Sequence, residues 1–156
     1  MKRAIILATT HLITLVAGFG LGVYFLPILT APASPDEAVL QEAASSAQYS
    51  GEFTRDLPGS DALHWGEGTI SVTPEQLVHT GELSPGPDYK VYLTTQFVDD
   101  ERGFEAIKDD AFYVGDVKSF DGFLLDLPRG VDIEAYDTVV VWCESFGEFI
   151  TAARYR

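Results

Sequence analysis

A run without charge constrains this chain most. From Ala4 to Leu29 it reads "AIILATTHLITLVAGFGLGVYFLPIL", with no Asp, Glu, Lys or Arg. As an α-helix, Ala4 to Leu26 would be about 34 Å long, enough for a hydrocarbon layer of about 30 Å. Pro27 falls where the span is essentially complete, so its missing amide costs little there. A cleavable signal peptide usually has a shorter apolar region, about 7–15 residues, which favours an uncleaved anchor over residues 1–29. Ala31-Pro32-Ala33 resembles a cleavage site, so removal of the segment stays open. No cysteine lies near it, which excludes an anchor made by lipid modification of a cysteine.

The flanks set an orientation. Lys2 and Arg3 precede the run, whereas Thr30 to Ser50 contains Asp36, Glu37 and Glu42 and no base. By the positive-inside rule the N-terminus is cytoplasmic and everything after Leu29 lies outside. The expectation is a single-pass protein of the cell membrane with an extracytoplasmic C-terminal domain, periplasmic in a Gram-negative cell. All 24 Asp and Glu lie in that outer part, with only eight of the ten Lys and Arg. So acidic a surface repels phosphate backbones and anionic head groups, which argues against nucleic acid as a partner. It suits a soluble domain, or one that meets a cationic partner.

Inside the span, Gly18, Gly20 and Gly22 do not make a dinucleotide fingerprint, because no strand precedes them and no acid follows at the required distance. Gly18 and Gly22 have the spacing that lets membrane helices approach, although ordinary membrane-helix glycine explains them as well. His11 has no second ligand on a lone helix and is expected to bond a carbonyl one turn back. Residues 30–50 read as a stalk. Ser34-Pro35-Asp36-Glu37 has the form of a capping box opening a short helix from about Pro35 to about Ala47, marginal unless packed.

From Gly51 to the C-terminus the texture changes to short apolar runs divided by Gly, Pro and Asp. "HWGEGTISV" (His64 to Val72), "EQLVHTGEL" (Glu75 to Leu83) and "YKVYLTTQF" (Tyr89 to Phe97) read as strands. In the third, Tyr89, Val91 and Leu93 face one way and Lys90, Tyr92 and Thr94 the other. "DAFYVGDV", "DGFLLDLP", the valine run and "FGEFITAARY" follow, with turns at "SPGPD" and "PRGVD". No helical pattern of useful length appears after Ala47. The fold class is therefore all-β, an antiparallel β-sandwich or barrel-like domain of seven or eight strands over residues 51–156. An immunoglobulin domain is disfavoured, because it needs a second cysteine and a tyrosine two residues before one of them.

Taken in order, "GEFTRD", "HWGEGTISV", "PGPDYKVYL", "VGDVKSFDGFLLDLP" and "DIEAYDTVVVWCESFGEFITAARY" closely resemble the DM-thirteen domain, also called the electron-transfer DM domain. The resemblance covers Gly51 to the C-terminus, and "YDTVVVWCESF" is its most specific part. It implies a redox-linked β domain in which Cys143 matches the family's proposed redox residue. That domain often accompanies haem-binding DOMON domains and membrane cytochromes b. This chain carries neither segment, so the implied haem- or redox-protein partner acts in trans. The resemblance names no cofactor.

Cys143, the only cysteine, follows the valine run of Thr138 to Val141. Val139, Val141 and Cys143 share one strand face, while Thr138, Val140 and Trp142 share the other. A run apolar on both faces is a central, doubly covered strand. Thiolate chemistry wants a helix N-terminus or a nearby cation, and the sequence supplies Glu144 instead, so the thiol pKa belongs at or above its free value. One cysteine cannot cycle between dithiol and disulfide within a chain. Two readings stay open: a redox thiol in a membrane-tethered electron-transfer accessory domain, or a buried structural cysteine in a non-catalytic binding or assembly module.

His64 and His79 are expected to lie apart, because pairing about Pro74 sets His79 opposite Ile70. "DDER" (Asp99 to Arg102) and "KDD" (Lys108 to Asp110) lack the spacing of a calcium loop, and no metal site is expected. Trp65 and Trp142 suggest either core or a ligand-facing platform. No hydrolase, zinc-protease or nucleotide-loop motif occurs.

The charge asymmetry about the span predicts that protease added to intact spheroplasts digests the C-terminal domain. A domain that stays protected until the membrane is opened would reverse the assigned topology.

Overall fold

The computed structural model describes residues 1–156. Helix α1 (Lys2–Thr30) is long and apolar enough to cross a membrane, and none of its residues is buried. His11 Nδ1 lies 2.8 Å from the Leu7 carbonyl oxygen, the backbone contact expected for it. Helix α2 (Glu37–Ala44) is shorter than its sequence pattern suggests. Its N-cap is Asp36, without a side-chain cap bond, so the capping box expected from Ser34 and Glu37 does not form. What holds this short helix is packing: α2 lies against the third strand, and its Leu40 is buried.

Eight strands follow: β1 (Tyr49–Phe53), β2 (Gly66–Val72), β3 (Gln76–Leu83), β4 (Tyr89–Thr94), β5 (Phe112–Val117), β6 (Phe123–Asp126), β7 (Thr138–Cys143) and β8 (Glu148–Arg154). They form two four-stranded antiparallel sheets, β1-β2-β3-β6 and β5-β4-β7-β8. β1 runs beside β8 and β5 beside β6, which brings the sheets together along both edges. A Cβ on Gly51 would stand 2.5 Å from the Arg154 carbonyl oxygen, so that corner closes only on glycine. The result is the expected antiparallel sandwich, drawn toward a barrel at its corners.

Alternation along the strands sorts side chains into two cores. Between the sheets lie Ile70, Val72 and Leu77 from one side and Tyr89, Val91, Leu93, Val139, Val141 and Cys143 from the other. On the outer face of the second sheet, Tyr92, Val140, Trp142, Phe149 and Ala152 pack with Val98 and Phe104. Phe104 belongs to helix α3 (Glu101–Glu105), which the sequence pattern does not reveal. Asp100, within "DDER", caps α3 by accepting from the Gly103 amide at 2.6 Å. These acids therefore start a helix that covers the outer core.

β7 sits between β4 and β8, and all six of its residues are buried. Val140 is fully buried on its outer face. Val140→Asp places an unpaired charge there and is expected to cost several kcal/mol, a large share of the about 5–15 kcal/mol that stabilises an ordinary domain. A thermal melt checks it, with loss of the cooperative transition as the expected outcome.

Candidate functional site

Cys143 is the last residue of β7 and is paired with Tyr89 of β4 on one side and Glu148 of β8 on the other. The chain then turns through Glu144-Ser145-Phe146-Gly147, and Gly147 N–H bonds the Cys143 carbonyl at 2.9 Å. Gly147 takes φ +67°, a conformation that L side chains rarely adopt, so the turn depends on it. The Cys143 side chain points inward, among the residues of the main core, and is 3% exposed. The strand end does not open the thiol to solvent.

Above the thiol lies a cleft of about 280 Å³, lined by Tyr24 of α1 with Leu63, His64, Tyr89, Cys143 and Phe146. Leu63 and Phe146 are exposed at its rim. Its wall includes Pro85, Gly86 and Pro87. A Cβ on Gly86 would lie 2.2 Å from the Tyr89 ring, so only glycine lets this turn close over Tyr89 beside the cysteine. The Tyr89 hydroxyl is 3.3 Å from Ser84 Oγ, which also accepts from the Trp65 amide at 3.0 Å. Burial raises the Tyr89 phenol pKa well above its ordinary value, so it stays protonated in this wall.

Burial also pushes the Cys143 thiol up. Backbone amides of Phe146, Asp88 and Ser145 favour the thiolate and oppose that rise in part, while the Asp88 carboxylate adds to it. The direction agrees with the sequence expectation, but the acid responsible is Asp88. Glu144 points to the other face of the sheet, where it accepts from Lys108 Nζ at 2.6 Å and from the Tyr92 hydroxyl at 3.0 Å. Lys108, from "KDD", is thus committed to an ion pair. Asp88 holds the turn by other bonds: its carbonyl accepts from the Glu144 amide at 2.9 Å and its carboxylate from Ser145 Oγ at 2.7 Å.

The two histidines separate as expected, with His79 paired to Ile70 across β2 and β3. His64 joins the cleft, close to the cysteine, through a loop in which Asp61 accepts from the Leu63 and His64 amides at 2.6 and 2.8 Å. Sequence reasoning missed that His64 lines the same cleft as Cys143, because only the folded loop brings it there. Trp65 stacks under the Arg55 guanidinium at 3.2 Å, while Trp142 is buried in the outer core. No group of three or more His, Cys, Asp or Glu residues is placed to hold a metal ion.

A model of the family described as electron transfer DM13 matches residues 53–155. No curated protein and no solved structure matches the chain.

His79 lies fully buried between Phe53 and Phe123, with Nε2 3.0 Å from the Glu67 carbonyl and Nδ1 unpaired. Desolvation lowers its pKa to about 4, outweighing the opposing effects of the Glu67 carbonyl and Glu52. Between about pH 4 and the unfolded value near 6.5 the unfolded chain binds a proton that the folded chain refuses. Stability is therefore complete above about pH 6.5 and falls as pH drops toward 4, by about 3 kcal/mol. Denaturant melts across this range check it, and His79→Leu is expected to flatten the slope.

Proposed function

Because the chain belongs to the electron transfer DM13 family, we propose that it is a membrane-tethered, extracytoplasmic electron-transfer accessory domain whose redox group is Cys143, serving a haem- or redox-protein partner in trans. The observation that carries this reading is the position of the thiol. The single cysteine lines a cleft whose rim exposes Leu63 and Phe146 of the β domain. A core cysteine elsewhere in the sandwich would have no such approach.

The chemistry is that of a one-cysteine exchanger. The Cys143 thiol gives up its proton and its sulfur attacks a partner disulfide, forming a mixed disulfide and releasing the partner's second sulfur as the thiolate that takes a proton. A thiol of the partner reverses the step. The raised pKa keeps Cys143 a thiol at rest, which limits adventitious oxidation. The amides of Phe146, Asp88 and Ser145 are in place to stabilise the thiolate once it forms.

The 3% exposure of Cys143 also supports the second reading, a binding or assembly module in which the cysteine only packs. Cys143→Ser separates the two. The same three amides can donate to the serine hydroxyl, so the variant is expected to fold with a loss of about 1 kcal/mol, the scale of one exchanged hydrogen bond. Acid quenching and alkylation of membranes should trap a mixed disulfide from the natural chain and none from the variant. A folded Cys143→Ser chain that retains full activity in its pathway would end the redox reading and leave the binding module.

A further inference from the structure

The outer face of the second sheet holds two phenols in the same setting. Tyr113 donates to Asp116 Oδ1 at 2.6 Å, and Lys90 Nζ reaches the same oxygen at 3.1 Å. Tyr92 donates to Glu144 Oε2 at 3.0 Å, and Lys108 Nζ reaches Oε1 at 2.6 Å. The two rings lie 5.7 Å apart, centroid to centroid, at 55°. Tyr113 is 45% exposed and Tyr92 7%. Hydrophobic packing accounts for the rings, but it does not require each hydroxyl to rest on a carboxylate.

We propose that Tyr113 and Tyr92 form a two-site relay for single electrons, with Asp116 and Glu144 accepting the phenolic protons, and that a high-potential, metal-centred one-electron oxidant draws the first electron from the exposed Tyr113. The proposal rests on the electron-transfer reading but not on Cys143. In the first step Tyr113 loses one electron to the oxidant and its proton to Asp116, leaving a neutral tyrosyl radical and an oxidant reduced by one. In the second, Tyr92 passes an electron to that radical and its proton to Glu144, while Asp116 returns its proton to Tyr113. The net result is a radical on Tyr92, a protonated Glu144 and a once-reduced oxidant. Both acceptors lie within hydrogen-bond reach of the protons they take. Their partners, Tyr113 and Lys90 for Asp116 and Lys108 and Tyr92 for Glu144, hold both carboxyls below the usual range, so both are ionised and ready.

The relay stops at Tyr92 for a structural reason. Phe104 lies 5.2 Å beyond it and Trp142 5.0 Å beyond Phe104. Trp142 Nε1 has no hydrogen-bond partner, so an oxidised indole has nowhere to send its proton. The Lys108 ammonium sits 5.5 Å from the indole ring and repels the cation that would remain. The oxidising equivalent therefore rests on a shielded phenol.

Laser-flash oxidation of the full chain in nanodiscs, with photogenerated tris(bipyridine)ruthenium(III) as the probe oxidant, tests this by transient absorption and freeze-quench electron paramagnetic resonance. The natural chain should show a fast-decaying tyrosyl radical and a slow-decaying one. Tyr92→Phe should abolish the slow component, Tyr113→Phe should reduce its yield several-fold, and Glu144→Gln should do the same while leaving the fast component. Cys143→Ser should leave both components unchanged, so failure of the thiol reading does not mimic failure of the relay. Persistence of the slow radical in Tyr92→Phe, or an unaltered yield in Tyr113→Phe, would overturn the proposal. If Tyr92→Phe fails to fold, Glu144→Gln decides alone: an unchanged slow yield overturns the relay.

Discussion

Strand β7 is hydrogen-bonded along both edges and buried on both faces, and each core of the domain is built on one of those faces. Its backbone groups are paired with β4 and β8, so the valines can lie in dry surroundings without stranding a donor or acceptor. Val139, Val141 and Cys143 then define the space between the sheets, and Val140 and Trp142 the space beneath α3. A shift of register by one residue would exchange the two sets and put the thiol under α3. The irregularity between Val141 and Trp142 in the pairing with β8 is absorbed at the strand's end, after the alternation has been set by the valines.

What was legible in the sequence follows from this periodicity. Period-two alternation put Tyr89, Val91 and Leu93 on one face, which the fold turns into the inner core, and the turn at Pro74 set His79 against Ile70. Continuous apolarity marked β7 as central. These are local signals, carried by residues two apart or by a single turn. Helix α3 was hidden because five residues with one buried side chain, Phe104, carry no helical period. The candidate site was legible only at Cys143. His64 and the Gly86 turn reach the cleft through loops and Tyr89 through its pairing with Cys143 across β4 and β7, and no spacing in the chain encodes that meeting.

The linker illustrates the same limit. Ser34 to Glu37 satisfies the pattern of a capping box, yet the helix begins at Glu37 on Asp36. Capping offers about 1 kcal/mol, and burying a leucine about 1.5–3 kcal/mol. Contact of Leu40 with the sheet therefore outweighs the cap in deciding where the helix sits. Its consequence is mechanical, because α2 is docked on β3 and only the short segment between Thr30 and Glu37 is left to separate α1 from the domain.

The same alternation separates two polar environments at one end of the sheet. Cys143 faces inward, and Glu144, the next residue, is held on the other side by Lys108 and Tyr92. Were Glu144 turned toward the sulfur, its charge would oppose the thiolate as Asp88 already does. Placing it outward leaves the thiol with one acidic neighbour and gives the Tyr92 hydroxyl an ionised partner. Glu144, the thiol's chain neighbour, thus meets the Tyr92 hydroxyl, while the thiol itself lies on the opposite face of the sheet. Cys143 and Tyr92, on opposite faces of the second sheet, can be altered one at a time, because the two side chains share no hydrogen-bond partner.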